Sequence, residues 1–106
     1  MKITYEEKEC LLQIVFEGEI DQHTCLEMTK LVDGAIHKYM PCMVNFDFSQ
    51  VTFMDSSGIG MLLGRYKKLI RIGAKATMQN VHGDMNRIFQ MSGIFKVIPL
   101  VEEVTF

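Results

Sequence analysis

Apolar and polar residues alternate from residue 10 to 17. Leu12, Ile14 and Phe16 fall on one side; Leu11, Gln13, Val15 and Glu17 fall on the other. This period of two predicts a strand with one wetter face. Residues 3–7 read as a second strand, with the Glu-Lys-Glu between the two as a hairpin turn. The period then changes. Met28, Leu31, Val32, Ala35, Ile36 and Tyr39 recur at helical spacing. They predict a one-sided helix over about 22–39, with Asp21 at its N-cap and Pro41 as its stop.

Alternation returns over residues 43–48, with Val44, Phe46 and Phe48 on one face and Met43, Asn45 and Asp47 on the other. Ser49 to Met54 reads as a short link. Ile59, Leu62, Leu63, Tyr66, Leu69 and Ile70 make the stripe of a second helix, ended by Gly73. Residues 75–81 read as a fourth strand. Residues 83–92 read as a third helix, with Met85, Ile88, Phe89 and Met91 apolar and Gly93 after its end. Residues 95–98 read as a short last strand, and Pro99 to Phe106 is too short for a long terminal helix. The order β-β-α-β-α-β-α-β predicts an α/β fold in a single domain, residues 1–106: a mixed sheet of four to five strands with helices packed on it. The opening hairpin is antiparallel, and right-handed crossovers make the later strands parallel.

Composition narrows the class. The chain has 106 residues, 48% hydrophobic and 23% charged, which excludes disorder, collagen and coiled coil as whole-chain answers. Eleven basic against thirteen acidic residues leave a net charge of -2, without the basic stripe of a nucleic-acid binder. No run of apolar residues is long enough to span a membrane. Charges near the N-terminus stand where a signal peptide needs its apolar stretch, so the expected location is cytoplasmic. Nine methionines fit either a core or a partner surface. Cys10, Cys25 and Cys42 form no CxxC and no zinc spacing, and read as buried or bystander thiols. His23, His37 and His82 are scattered and make no metal motif. No metal and no cofactor are expected.

Binding sites in open α/β sheets lie where strands feed helices. Two such loops carry chemistry: Gly18-Glu19-Ile20-Asp21-Gln22-His23-Thr24, and Phe53-Met54-Asp55-Ser56-Ser57-Gly58-Ile59-Gly60. Ser56 precedes a strong helix and reads as its N-cap. The same place suits a phosphate, because a helix N-terminus carries free N–H donors and about half a positive charge. Asp55, and Asp21 and Glu19 if the loops adjoin, would repel that phosphate. Ser57, Gly60, Met61 and Gly64 fall largely outside the apolar stripe of the second helix. Gly60 and Gly64, one turn apart, permit close approach, either by the chain's own sheet and loops or by something outside. Met61 is expected at a partner surface. Arg65, Lys67, Lys68 and Arg71 read as a solvated face, or as steering toward an acidic partner. Ser56 with His23 as base would make a small serine-dependent enzyme, but no nucleophile motif supports it.

The stretch from Phe53 to Lys67, FMDSSGIGMLLGRYK, resembles the signature of STAS-domain anti-sigma factor antagonists, especially those of the sporulation anti-sigma-F factor. Gly18 to Thr24 and Ile88 to Ile98 resemble the same family. The resemblance implies a STAS fold and a non-catalytic partner switch. It implies a free monomer that binds an anti-sigma factor with serine kinase activity and so releases the sigma factor. Ser56 would be the phospho-acceptor, phosphorylation would end binding, and a serine phosphatase would restore it. Asp21 and Asp55 would lie in the contact loops, and Ser57, Gly58, Gly60, Met61 and Gly64 on or beside the docking helix. A general-stress or ligand-sensing STAS module is the alternative within the same fold.

Overall fold

The alternating segment forms a strand, β2 (Leu11–Ile20), that buries Leu12, Ile14 and Phe16. In the computed structural model, which describes residues 1–102, β1 (Lys2–Glu6) pairs antiparallel with it. The helix α1 (Thr24–Tyr39) leads to β3 (Met43–Met54), and α2 (Ser56–Arg71) leads to β4 (Lys75–Gln79). Then come α3 (Met85–Ser92) and a 3₁₀ turn, Ile94–Lys96. The sheet order is β1-β2-β3-β4, with β2, β3 and β4 parallel. Two right-handed crossovers stepping the same way put α1 and α2 on one face. There Val44, Phe46, Phe48, Val32, Ile36, Leu62 and Leu69 form the core, and Phe89 of α3 meets the Phe48 ring edge-on, with ring centres 5.1 Å apart.

Several boundaries differ from expectation. The third strand does not stop at Phe48. Ser49–Met54 continues it, because β2 also runs on to Ile20 and the two remain paired through register shifts as far as Ile20–Met54. Gly18, at φ 77°, lies at one of these irregularities. The expected strand at 95–98 is the 3₁₀ turn instead. Gly93 caps α3 in the left-handed region, and Ile94 and Ile98 turn inward. The sheet's next neighbour is a single parallel bridge, Met78 to Leu100. Leu31, Ile70 and Met91, expected on buried helix faces, are exposed. The terminal stretch expected after Pro99 extends outside the described residues beyond Glu102.

The sheet's other face is held by polar contacts. Gln13 Nε2 donates to Asn45 Oδ1 at 3.4 Å, and Asn45 Nδ2 donates to Thr77 Oγ1 at 3.0 Å, joining three strands. Asp47, almost fully buried, accepts from the Ser49 N–H at 2.8 Å, Gln79 Nε2 at 3.0 Å and Asn80 Nδ2 at 3.1 Å. Burial pushes its carboxyl up, but hydrogen bonds from Ser49, Asn80 and Gln79 outweigh that and hold it below its ordinary value.

The cysteines also depart from expectation. Cys10 and Cys42 form a disulfide between the β1–β2 turn and the α1–β3 loop, their Cα atoms 5.2 Å apart. Cys25 is free and half-buried. Spacing in sequence carried no sign of this pairing, because the parallel β2–β3 register creates it.

Because the Asp47 pKa is depressed on folding, its stabilising contribution is present above the unfolded pKa, near 3.8, and is lost as pH falls through the folded value. Urea titrations should show stability declining below about pH 4. Asp47→Asn should be less stable at neutral pH by roughly 1–3 kcal/mol, with a flatter acid limb. An unchanged acid limb would remove Asp47 from this role.

Candidate functional site at the start of the second helix

The two chemically promising loops meet because their strands pair to the end. Ile20 pairs with Met54, and the Asp55 N–H donates to the Ile20 carbonyl at 3.1 Å. Asp21 and Asp55 therefore leave adjacent strands side by side, each entering a helix.

Asp21 organises the first entry. Its Oδ1 accepts from the N–H groups of His23 and Thr24, both at 2.9 Å. The Asp21 N–H donates back to Thr24 Oγ1 at 2.9 Å. This is the reciprocal logic of a capping box, so Asp21 does the capping work although regular helix begins only at Thr24. The Thr24 N–H bond, before the His23 bond, holds the Asp21 carboxyl below its ordinary value. Asp21 thus stays charged at neutral pH.

At the second entry the cap is Asp55, not Ser56. Asp55 has extended backbone, φ -107°, and accepts from the Ser57 N–H at 2.8 Å. Its carbonyl accepts from the Gly58 N–H at 3.1 Å. Ser56 becomes the first helical residue and is exposed. The local reading failed because two adjacent residues are both good caps, and only the strand's end decides between them. Capping by Asp55 frees the Ser56 hydroxyl from that task.

The expected docking residues separate into two groups. Gly60 is exposed and Gly64 half-buried, and a Cβ at either would meet nothing within 4 Å. Among the described residues, no neighbouring element packs where these glycines lack a side chain. Ser57 is half-buried beside them. Gly58 instead faces inward: a Cβ there would lie 2.6 Å from Met54 Sδ. Met61, expected at the partner surface, is buried in the core. The reason is that α2 buries two faces, one on the sheet and one on α1. Arg65 and Lys68 belong to that second face. Arg65 Nε lies 2.8 Å from Asp33 Oδ1, Arg65 Nη1 donates to Thr29 Oγ1 at 3.1 Å, and Lys68 Nζ reaches Asp33 Oδ2 at 2.8 Å. Two of the four supposed solvated bases therefore join helices.

A largely apolar groove runs beside Ser56, and sequence reasoning missed it. It is shallow and lined by Ser56, Ile59, Ile88, Met91 and Ser92. A second depression shares Ile88 and is mixed, with Phe53, Met54 and Met85 beside the polar Thr52, His82 and Asp84. Met91 is 79% and Phe53 51% exposed. The signal available was apolar residues standing off each element's buried period, but Met91 fits the α3 stripe by spacing alone. Cys25 adjoins the acidic pair: burial first, then Asp55 and Asp21, push its thiol up. His23 is exposed, and no hydrogen bond joins it to Ser56 among the described residues. Among them, too, no group of three His, Cys, Asp or Glu side chains could hold a metal, and no helix is long and apolar enough to cross a membrane.

Comparison with known proteins gives a consistent result. The family model described as STAS domain matches residues 2–105. An anti-sigma F factor antagonist of Paenibacillus polymyxa is 31% identical over 102 residues, covering 96% of this chain and 87% of the relative. The solved structure of the anti-sigma factor antagonist SpoIIAA in its unphosphorylated form superposes with a TM-score of 0.81 at 25% identity, covering 96% of this chain and 88% of that one. The Bacillus cell fate determinant SpoIIAA in its phosphorylated form superposes with a TM-score of 0.72 at 26% identity, covering 96% and 91%.

Gly60→Ala and Gly64→Ala each gain helix propensity without a clash, so each should raise stability by about 0.5–1 kcal/mol. Destabilisation in urea unfolding would mean that the chain itself uses the space beside these glycines.

Proposed function

The chain belongs to the STAS domain family, among the anti-sigma factor antagonists, and from that premise we propose that it is a phosphorylation-controlled partner switch acting in the cytoplasm. The unphosphorylated form binds an anti-sigma factor that is also a serine kinase, and the sigma factor is released. The kinase transfers the γ-phosphoryl group of ATP to Ser56 Oγ: the O–P bond forms as the hydroxyl gives up its proton to the kinase's base, the bond to the β-phosphate oxygen breaks, and ADP leaves. A serine phosphatase removes the phosphate and restores binding. The resemblance to the sporulation antagonists favours that sigma system over a general-stress one.

One observation carries this reading: Ser56 is exposed at the first position of α2, relieved of capping by Asp55, and beside a largely apolar groove. Such a groove suits a partner surface that excludes water. A phosphate adds about -1.5 to -2 charges to a chain whose net charge is -2. The helix N-terminus tolerates that charge, while Asp55 and Asp21 beside it make the surface strongly anionic. Desolvating that charge against a partner is costly, so binding falls without unfolding the domain. Ser57, Gly60 and Gly64 give the partner close access along the outer side of α2. Gly58 and Met61 support that helix from within.

Incubation with the cognate kinase and ATP should place one phosphate, on Ser56. Ser56→Ala should bind the anti-sigma factor and remain unmodified, and Ser56→Asp should bind at least about tenfold more weakly. A phosphate mapped elsewhere, or full binding by Ser56→Asp, would contradict the proposal. Gly60→Ala and Gly64→Ala, though more stable, should weaken the complex. Binding equal to that of the unsubstituted protein would place the partner elsewhere.

A further inference from the structure

At the pole opposite Ser56 lies a pair of sulfurs that the switch does not use. Cys10 closes the β1–β2 turn and Cys42 precedes β3, so the length of β3 separates them from Ser56 at the start of α2. The backbone brings them together independently of any bond between them. The N–H groups of Cys42 and Met43 both donate to the Cys10 carbonyl, at 2.8 and 3.2 Å. The Lys75 N–H donates to the Cys42 carbonyl at 2.9 Å, fixing that loop to β4 as well. Cys10 itself is held at φ 54°, a region that non-glycine residues seldom occupy. The Cα separation of 5.2 Å lies in the range a disulfide requires. The two residues are thus tied by backbone hydrogen bonds as well as by their sulfurs.

The two sulfurs differ chemically. Cys42 is exposed and Cys10 half-buried. Two donors reach Cys10 Sγ: the Tyr5 hydroxyl at 3.5 Å, and the Cys42 N–H at 3.0 Å, which it shares with the Cys10 carbonyl. Donors to sulfur favour its anionic form, which is both the nucleophile and the better leaving group in thiol–disulfide exchange. Cys25 is the opposite case: half-buried, its thiol pushed up by burial and by the acidic pair.

We propose that Cys10 and Cys42 are a reversible redox site for low-molecular-weight disulfides, which locks the β1–β2 hairpin to the α1–β3 loop and leaves the Ser56 face unchanged. In oxidation the exposed Cys42 thiolate attacks one sulfur of a small disulfide, RSSR. A Cys42–SR mixed disulfide forms and one RS⁻ leaves. The Cys10 thiolate then attacks Cys42 Sγ, forming the intramolecular disulfide and expelling the second RS⁻. The two cysteine protons end on the two RSH released, so two protein thiols are oxidised as one RSSR is reduced. Reduction runs backward: a small thiolate attacks the exposed Cys42 Sγ, and Cys10 departs as the thiolate its two donors stabilise. On the reading given above the protein works in a thiol-rich compartment, where a disulfide is a transient or sensing bond rather than a permanent staple.

The closed loop spans 32 residues, containing β2 and α1. Its closure restricts the unfolded chain, so the oxidised form should melt roughly 10 °C above the reduced form. The whole chain is equilibrated in glutathione buffers of graded ratio, quenched with an alkylating agent and read by intact mass and peptide mapping. Oxidising buffers should leave one alkylatable thiol, Cys25, and a peptide linking Cys10 with Cys42 in the monomer. Excess reduced glutathione should return all three thiols. Cys10→Ser should accumulate a glutathione adduct on Cys42, the intermediate that can no longer resolve. Three thiols in every buffer, a cross-link through Cys25 or between chains, or a bond that survives excess reduced glutathione would overturn the proposal. So would equal melting temperatures of the two forms. The assay contains no kinase or anti-sigma factor, so its failure leaves the Ser56 switch standing, and failure of that switch leaves these thiol counts unaffected.

Discussion

The site depends on one constraint: β2 and β3 remain paired in parallel to their last residues. Ile20 and Met54 are opposed, and the Asp55 N–H is bound to the Ile20 carbonyl. Parallel strands release their chains at the same edge, so α1 and α2 start side by side. Were β3 to stop at Phe48, Ser56 would hang from an unpaired link and its distance from Asp21 would be undefined. The pairing is secured from both faces. On one, Phe16 stacks near Phe46 and Phe48, with ring centres 6.0 and 5.4 Å apart. On the other, Asn45 bridges Gln13 and Thr77, and the buried Asp47 ties β3 to the residues that follow β4. A polar group this deep is costly when unpaired, so the network favours one register over its neighbours.

Much of this was legible beforehand because it rests on period. The alternation of Leu12, Ile14 and Phe16 and of Val44, Phe46 and Phe48 identified two central strands, and the stripes of α1 and α2 identified their crossovers. Period failed where pairing or tertiary contact decides. The extension of β3 through Ser49–Met54 follows from irregular pairing with β2, which leaves no alternation to read. Met61 looked outward because one stripe was counted, whereas α2 buries two. Local sequence puts the cap at Ser56, but Asp55 caps equally well by type, and the end of β3 places Asp55 there. The joining of Cys10 to Cys42 reflects register across 32 residues, which spacing does not encode.

The same features divide the molecule by role. Gly58, Met61, Arg65 and Lys68 hold α2 to the strand and to α1, so that the helix is a fixed platform. Ser56, Gly60 and the apolar Phe53, Ile88 and Met91 face outward upon it. Capping by side chains of the chain itself means that neither helix start waits for a ligand to form. On the proposed reading, a change of charge at Ser56 would act on a surface already built, and a sulfur bond at the far pole would act on stability without reaching that surface. The length of β3 between the two poles would let each be controlled separately in one small domain.

On the proposed reading, phosphate on Ser56 alters a preformed surface rather than the fold. Backbone amide NMR spectra of the unmodified and Ser56-phosphorylated protein test it most directly. Shifts should be confined to the two helix starts, Ile20 to Cys25 and Phe53 to Gly60, and to the adjoining side of α3, with the other strand amides and their exchange protection unchanged. Shifts or lost protection spread through β1 to β4 would contradict it.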